Sequence, residues 1–220
     1  MAPDAPKRLE GRKVAAVACF DSFGKVAMTL LAACRREGAE TTLHLLELNN
    51  RALSRRQRLE IRRIDPRTPI EKHNWSDLHN LCSPMAGDVD ALILGLDGRR
   101  SREALLQLQG AWGLGQTRPR LISAYPGILF RFALEGMLDR SGADLLCLNS
   151  QQDLSIYQKG CAAMGRDSSN AVVTGLPILW RTHPRTDLPE HPSIVFFEQP
   201  SIPVPPLQRR FLCEQLRDLS

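Results

Sequence analysis

Short apolar runs alternate with amphipathic stretches over the first 180 residues of the chain. The runs lie at residues 13–20, 41–48, 90–96, 120–124, 143–148 and 171–174. Between them, apolar positions recur every three or four residues, which is typical of helices that bury one face. A nearly continuous apolar run predicts a strand covered on both faces, and alternation with helices predicts βαβ units. We therefore expect an α/β domain of Rossmann-like type with a doubly wound parallel sheet.

Polar residues mark the starts of the predicted helices. These helices cover residues 23–37, 54–64, 102–112 and 151–164, with a short one near 75–82. Asp21 or Ser22 is expected to cap the first helix, and Ser101 and Ser150 are expected to cap two later ones. Apart from the short helix, residues 65–88 show no regular pattern.

The composition changes after residue 180. Residues 181–192 contain three prolines and few apolar residues, which predicts a linker. An apolar run at 193–197 and an amphipathic stretch at 207–219 then predict one strand and one helix. A single strand and helix cannot bury their own apolar faces, so they either pack on residues 1–180 or open a second α/β domain. We favour the second interpretation, in which residues 193–220 begin a domain that the chain does not complete.

Overall composition is that of a globular protein. Of 220 residues, 43% are hydrophobic, and the formal net charge is +5. We expect a cytoplasmic protein, because no apolar run is long enough to span a bilayer and the first residues do not resemble a secretory signal. The six cysteines are scattered, without a Cys-x-x-Cys pair, and are expected to be reduced and mostly buried.

Positive charge is concentrated in one predicted helix. Seven arginines lie between positions 51 and 67, opposed by Glu60 and Asp65. Such a helix is either a solvated face or a binding surface for phosphate-bearing ligands or an anionic partner. Only 5% of the residues are aromatic, so a stacking platform for single-stranded nucleic acid is not expected.

Candidate chemistry follows the rule that ligands bind outside the carboxyl ends of parallel strands. The turns after the first, third and fourth predicted strands satisfy it, and two arginines lie farther along. These candidates are Asp21, Ser22, Lys25, Gly95, Gly98, Pro126 and Gly127, with Arg131 and Arg140 as possible partners of an anionic group. Neither the dinucleotide fingerprint nor the P-loop motif is present.

We expect no metal site and no cofactor. Asp88 and Asp90 could hold a divalent cation, but they precede their strand and so lie at the opposite edge of the sheet. A second group could ligate zinc, although its spacing fits neither a single helical face nor a zinc finger. It comprises His73, Asp77, His79 and Cys82.

An ordered series of turns resembles a known enzyme family. The series is CFDSFGK (19–25), SRRQ (54–57), LILGLDG (92–98), RPRLISAYPGI (118–128), DRSGADLLCLNSQQDLSIY (139–157), TGLPIL (174–179) and IVFFEQPSIPVPPLQRRFL (194–212). From about residue 13 onward, the chain resembles the amino-terminal half of glycosyltransferases with the two-domain GT-B fold. These are distant relatives of bacterial capsule and sialic-acid transferases.

The resemblance implies an interdomain cleft, a nucleotide-sugar donor and a hydroxyl acceptor, without a metal requirement. It implies that Asp21 is the general base, and that Ser22, Lys25 and the glycine turns line the cleft. Gln199 resembles the first turn of the donor-side domain. Family members continue for about another domain, so the chain is interpreted as a fragment, as the product of a split gene, or as one half of an enzyme whose other half is a second chain. The alternative is a non-catalytic Rossmann-like binding or scaffold domain that contacts an anionic partner through the arginine-rich helix.

Overall fold

Seven parallel strands form the centre of the molecule in a computed structural model. The structure describes residues 8–48, 52–113, 117–126 and 134–177, together with Arg210 and Glu214. The strands are β1 (Lys13–Ala18), β2 (Glu40–Glu47), β3 (Ile70–Asn74), β4 (Ala91–Gly95), β5 (Arg120–Ala124), β6 (Leu145–Leu148) and β7 (Ala171–Val173). Their order in the sheet is β3-β2-β1-β4-β5-β6-β7, and every described pair is parallel. The predicted doubly wound α/β fold is confirmed, and its direction of winding changes between β1 and β4.

Helices cover both faces of the sheet. They are α1 (Asp21–Arg36), α2 (Arg55–Ile64), α3 (Leu78–Cys82), α4 (Gly98–Trp112), α5 (Leu134–Leu138) and α6 (Gln151–Ala163), with 3-10 turns at Trp75–Asp77 and Ser83–Met85. Alternate residues of β1 pack on opposite sides. Ala16 lies in a cluster with Met28 of α1 and Ile61 of α2. Val17 lies in the other cluster, with Trp112 of α4. This two-sided burial explains why β1 is apolar after its first residue, from 14 to 18.

Several predicted boundaries need correction. β3 was missed because it is an edge strand with the polar sequence IEKHN, which has no apolar run to identify it. Phe20, rather than Asp21 or Ser22, precedes α1, and its side chain makes no capping hydrogen bond. Asp97 rather than Ser101 caps α4, where it accepts from the backbone N–H of Arg100 at 2.9 Å. The predicted start of α2 at Ser54 and the Ser150 cap of α6 agree with the structure.

The chain divides into two compact units, Met1–Arg181 and Thr182–Ser220. The linker, strand and helix predicted at 181–220 lie almost wholly outside the described residues. Their assignment to a second domain stays a prediction. Within the described residues, no helix is long and apolar enough to cross a membrane.

Candidate functional site

The turns after β1, β4 and β5 meet at one end of the sheet, which we call the carboxyl edge. It comprises residues 19–22, 96–98 and Tyr125–Pro126. The turns after β1 and β4 are joined directly, because the backbone N–H of Cys19 donates to the carbonyl of Gly95 at 3.1 Å. These two strands flank the point where the winding direction changes, and open α/β sheets bind their ligands at such a point.

Phe20 has a strained backbone at this point. Its φ of 63° and ψ of 164° fall in a region that is almost confined to glycine, and no other described non-glycine residue has a positive φ. Its carbonyl accepts from the N–H of Gly24 at 3.0 Å, and the Arg100 guanidinium lies 5.0 Å from its ring centroid. These contacts hold the turn in place. Backbone strain of this kind clusters at functional sites, and it directs attention to Asp21, the next residue.

Asp21 belongs to a chain of charges that links α1 to α2. The ammonium of Lys25 contacts Oδ2 of Asp21 at 2.9 Å and Glu60 at 2.8 Å. Hydrogen bonds to Glu60 and Asp21 raise the pKa of Lys25, while hydrogen bonds from Lys25 and Arg56 lower the pKa of Glu60. Lys25 is therefore a cation that holds one oxygen of Asp21. The other oxygen, Oδ1, is buried and has no hydrogen-bond partner among the described residues.

The predicted glycines at the carboxyl edge meet other elements closely. A Cβ at Gly95 would lie 3.0 Å from the carbonyl oxygen of Phe23 and from the Cβ of Ala18. A Cβ at Gly98 would lie 2.9 Å from the Cα of Gly136 at α5. Close packing therefore explains both glycines. Their contact with a ligand stays a prediction.

Arg140, which the sequence offered as a candidate partner of an anionic group, is instead buried inside the protein. Its side chain donates to the carbonyls of Leu96 and Gly136. The guanidinium lies 4.6 Å from the ring centroid of Tyr125, and burial lowers its pKa. Arg140 therefore fixes the loops after β4 and β5 from inside.

Of the remaining predicted site residues, two lie in the described part of the chain and three do not. Ser22 is exposed as the second residue of α1, and Pro126 is half-buried after β5. Gly127, Arg131 and Gln199 lie outside the described residues. Sequence reasoning missed Arg100, which forms a short ion pair with Asp97 beside the Phe20 ring. The sequence signal for Arg100 was its position three residues after an aspartate at a helix start, a spacing at which two side chains can pair.

Cysteine chemistry is not supported at this edge. Cys19 directly follows β1 and is buried, and burial raises its pKa to about 12. A thiol with this pKa stays protonated near neutral pH and is a poor nucleophile. The five described cysteines are free, and four of them are buried, as the scattered positions predicted.

The structure gives the residues of both groups considered for metal binding other surroundings. Asp88 and Asp90 precede β4 and pair with Lys13 at 2.6 Å and Arg12 at 2.8 Å. Cys82 is buried, and burial raises its pKa to about 12, whereas His79 is exposed. His73 instead lies beside two residues that the spacing did not connect with it, His44 and Glu71.

A family profile covers nearly the whole chain. Residues 14–220 match the family described as "Putative glycosyltransferase (DUF6716)". The chain belongs to this family. The resemblance to glycosyltransferases is thus confirmed at family level. Among curated proteins, none matches the sequence.

Solved structures similar to this member of the glycosyltransferase-like family are distant from it. A Lactobacillus casei protein is 12% identical, with 63% of this chain and 74% of that chain covered at a TM-score of 0.42. A short-chain dehydrogenase/reductase from Serratia marcescens BCRC 10948 is 9% identical, with 77% and 73% covered at a TM-score of 0.40. These scores add nothing to the fold class, which the sheet order already defines.

The arginine-rich helix of this family member packs through Ile61, with Ile64 partly buried against the same cluster. Ile61 of α2 is fully buried, and a Cβ at Gly24 would lie 2.7 Å from its side chain. Arg56 pairs with Glu60, whereas the following exposed arginines have no ion pair within the described residues: Arg55, Arg62, Arg63 and Arg67. The exposed side of the helix therefore carries positive charge without ion-pair partners among the described residues, and its contact with an anionic partner stays a prediction.

Proposed function

We propose that this chain is a nucleotide-sugar-dependent glycosyltransferase of the GT-B type, or its acceptor-side half. It transfers a sugar to a hydroxyl acceptor at the carboxyl edge, between β1 and β4. Membership of the glycosyltransferase-like family supports the reaction class. The buried, unpartnered Oδ1 of Asp21 is the observation that carries the choice of site.

Asp21 acts as the general base in this proposal. Its carboxylate takes the proton of the acceptor hydroxyl as the hydroxyl oxygen forms a bond to the anomeric carbon of the donor sugar. The bond between that carbon and the phosphate oxygen breaks, and the nucleotide leaves with the electron pair. Lys25 holds Oδ2 at 2.9 Å, and Oδ1 has unused acceptor capacity. The Asp21 side chain is 30% exposed, so its carboxylate is open to solvent although Oδ1 itself is buried.

Neighbouring groups orient the substrates. Ser22 is exposed at the start of α1 and offers a hydroxyl next to the base. The first turn of α1 also has backbone N–H groups that favour a negative charge nearby. Gln199 enters the proposal through the family resemblance alone, as a contact to the donor. Arg131 enters it as a basic residue beyond the turn after β5 that suits a phosphate or carboxylate.

Sugar transfer by the full chain tests the proposal. Purified protein is incubated with a panel of nucleotide-sugars and fluorescently tagged glycans, and mass spectrometry detects addition of one sugar. We expect transfer from at least one donor, and a loss of roughly 100-fold or more in Asp21→Asn, as expected for removal of a general base.

Glu103→Gln is the matched control for this experiment. Glu103 is an exposed carboxylate on α4, outside the carboxyl edge, so its variant should transfer sugar at the wild-type rate. Circular dichroism should show the same fold for both variants. Failure of the wild type to transfer any sugar would contradict the complete-enzyme form of the proposal, and full activity of Asp21→Asn would contradict the assigned base.

A further inference from the structure

Three side chains that carry metal-binding atoms converge on one face of the β2–β3 pair. His44 of β2 stands directly opposite Glu71 of β3 in the parallel register. Glu71 and His73 are two residues apart on β3, so their side chains project from the same face. The structure thus brings together residues that are 27 and 29 positions apart along the chain.

The three candidate ligand atoms form a nearly equilateral triangle. Nδ1 of His44 lies 3.2 Å from Nε2 of His73 and 3.3 Å from Oε2 of Glu71, and the last two atoms are 3.4 Å apart. Zinc bonds to histidine nitrogen and carboxylate oxygen are about 2.0–2.1 Å long, so tetrahedral geometry places neighbouring ligand atoms roughly 3.3–3.4 Å apart. The triangle therefore has the dimensions of one face of a zinc coordination tetrahedron.

Hydrogen bonds alone account poorly for this arrangement. A carboxylate offers only acceptors, and a neutral imidazole has one N–H and one acceptor nitrogen. Nδ1 of His44 and Nε2 of His73 can each carry at most one N–H, so these atoms offer at most two protons for the three edges of the triangle, and at least one edge has no hydrogen bond. A single cation at the centre of the triangle interacts favourably with all three atoms at once.

The group also has an open side. A cavity of about 380 Å³ lies against His44 and Glu71, and its wall includes Thr42, Lys13 and Asp88. His44 is buried, whereas Glu71 is half-exposed. Three protein ligands beside a cavity are typical of a zinc site that keeps one position for water or substrate.

We propose that His44, Glu71 and His73 bind a divalent transition metal ion, zinc in the first instance, with one position open. Two imidazoles and one carboxylate suit zinc and its borderline-soft neighbours better than magnesium or calcium, which prefer oxygen ligands. The proposal departs from the expectation of no metal site. That expectation depended on spacing along the chain, and β3 was not recognised as a strand.

Titration of the metal-free full chain with Zn²⁺ tests the site. Calorimetry should show one equivalent bound with a Kd of about 1 µM or tighter in the wild type. Co²⁺ in place of Zn²⁺ should give the visible absorption of a four-coordinate site. Zn²⁺ should also raise the melting temperature by several degrees, because a ligand that binds only the folded state stabilises it.

Two ligand variants and one matched control complete the experiment. His73→Ala and Glu71→Gln remove half-exposed or exposed groups from the edge strand, so both proteins should fold, and each should weaken Zn²⁺ binding at least tenfold. His79→Ala removes an exposed histidine outside the triangle and should bind as the wild type does. The proposal is overturned if the wild type binds Zn²⁺ no more tightly than about 100 µM, or if His73→Ala binds it unchanged.

The zinc titration and the Asp21 experiment have separate outcomes. His44 lies within β2 and pairs with the edge strand, whereas Asp21 follows β1 at the carboxyl edge. Zinc binding is measured without a sugar substrate, and sugar transfer is measured on Asp21 variants. Failure of one experiment therefore leaves the other proposal untouched.

Discussion

Aspartates are found at both ends of the sheet, but their surroundings differ. At the amino edge, four aspartates precede strands and each is paired with a cation from a distant part of the chain. The pairs are Asp65–Arg35, Asp88–Lys13, Asp90–Arg12 and Asp144–Arg118. Three of these carboxylates accept a further hydrogen bond. The Thr68 hydroxyl donates to Asp65, the backbone N–H of Lys13 donates to Asp90, and the backbone N–H of Leu121 donates to Asp144.

At the carboxyl edge, the Asp21 carboxylate leaves hydrogen-bonding capacity unused. Asp21 has one oxygen paired and one buried oxygen without a partner, next to the strained Phe20. A carboxylate whose lone pairs are all occupied contributes to stability and cannot also serve a substrate, whereas an incompletely paired one can. The comparison therefore separates structural aspartates from a candidate functional one.

The largest difference in stability should appear between Asp65 and Asp21. Asp65→Ala leaves the Arg35 guanidinium without the two contacts of 2.6 and 2.8 Å that it makes to a buried carboxylate, so we expect a loss of about 3 kcal/mol. Asp21→Asn should cost less than about 1 kcal/mol, because Lys25 keeps Glu60. Urea unfolding followed by circular dichroism measures both. Equal losses in the two variants would remove the distinction between the edges.

A smaller effect is expected at Gly95, which joins the carboxyl edge to the packing of α1. Gly95→Ala forces a methyl group against the Phe23 carbonyl oxygen at 3.0 Å and should cost about 2 kcal/mol. Gly110→Ala is the matched control, since a Cβ there meets nothing within 4 Å in the interior of α4. It should stabilise the protein by roughly 0.5–1 kcal/mol through helix propensity. A harmless Gly95→Ala would favour a ligand-contact role over close packing.

The smallest expected effect is the pH dependence of the Asp144 pair. The hydrogen bond from Arg118 is the main cause that lowers the pKa of Asp144, so its stabilisation is present above the unfolded-state pKa of about 3.9. It is lost as the pH falls through the folded-state pKa. We expect Asp144→Asn to be about 1 kcal/mol less stable than wild type at pH 7 and equally stable near pH 2. Urea unfolding at both pH values measures this, and a difference that persists in acid would show that packing, not charge, connects β5 to β6.

Sequence patterns located the carboxyl edge but not its internal contacts. Asp21 and Lys25 were assigned to the turn after the first strand because apolar runs reveal where buried strands end. Their link to Glu60 depends on how α2 packs across α1, where the side chain of Ile61 meets Gly24. Arg140 shows the same limit, since its charge suggested a ligand contact and only the fold shows it to be buried.

The sequence by itself determined the fold class and the positions of most strands. A strand that is buried on both faces must be apolar along its buried length, and this pattern is visible in the sequence, as in residues 14–18 of β1. Tertiary structure alone decided which polar groups find partners. The clearest case is the edge strand β3, which lacks an apolar run, yet its register places Glu71 opposite His44. Because neighbouring side chains along a strand point to opposite faces, a shift of one residue would remove both Glu71 and His73 from that face.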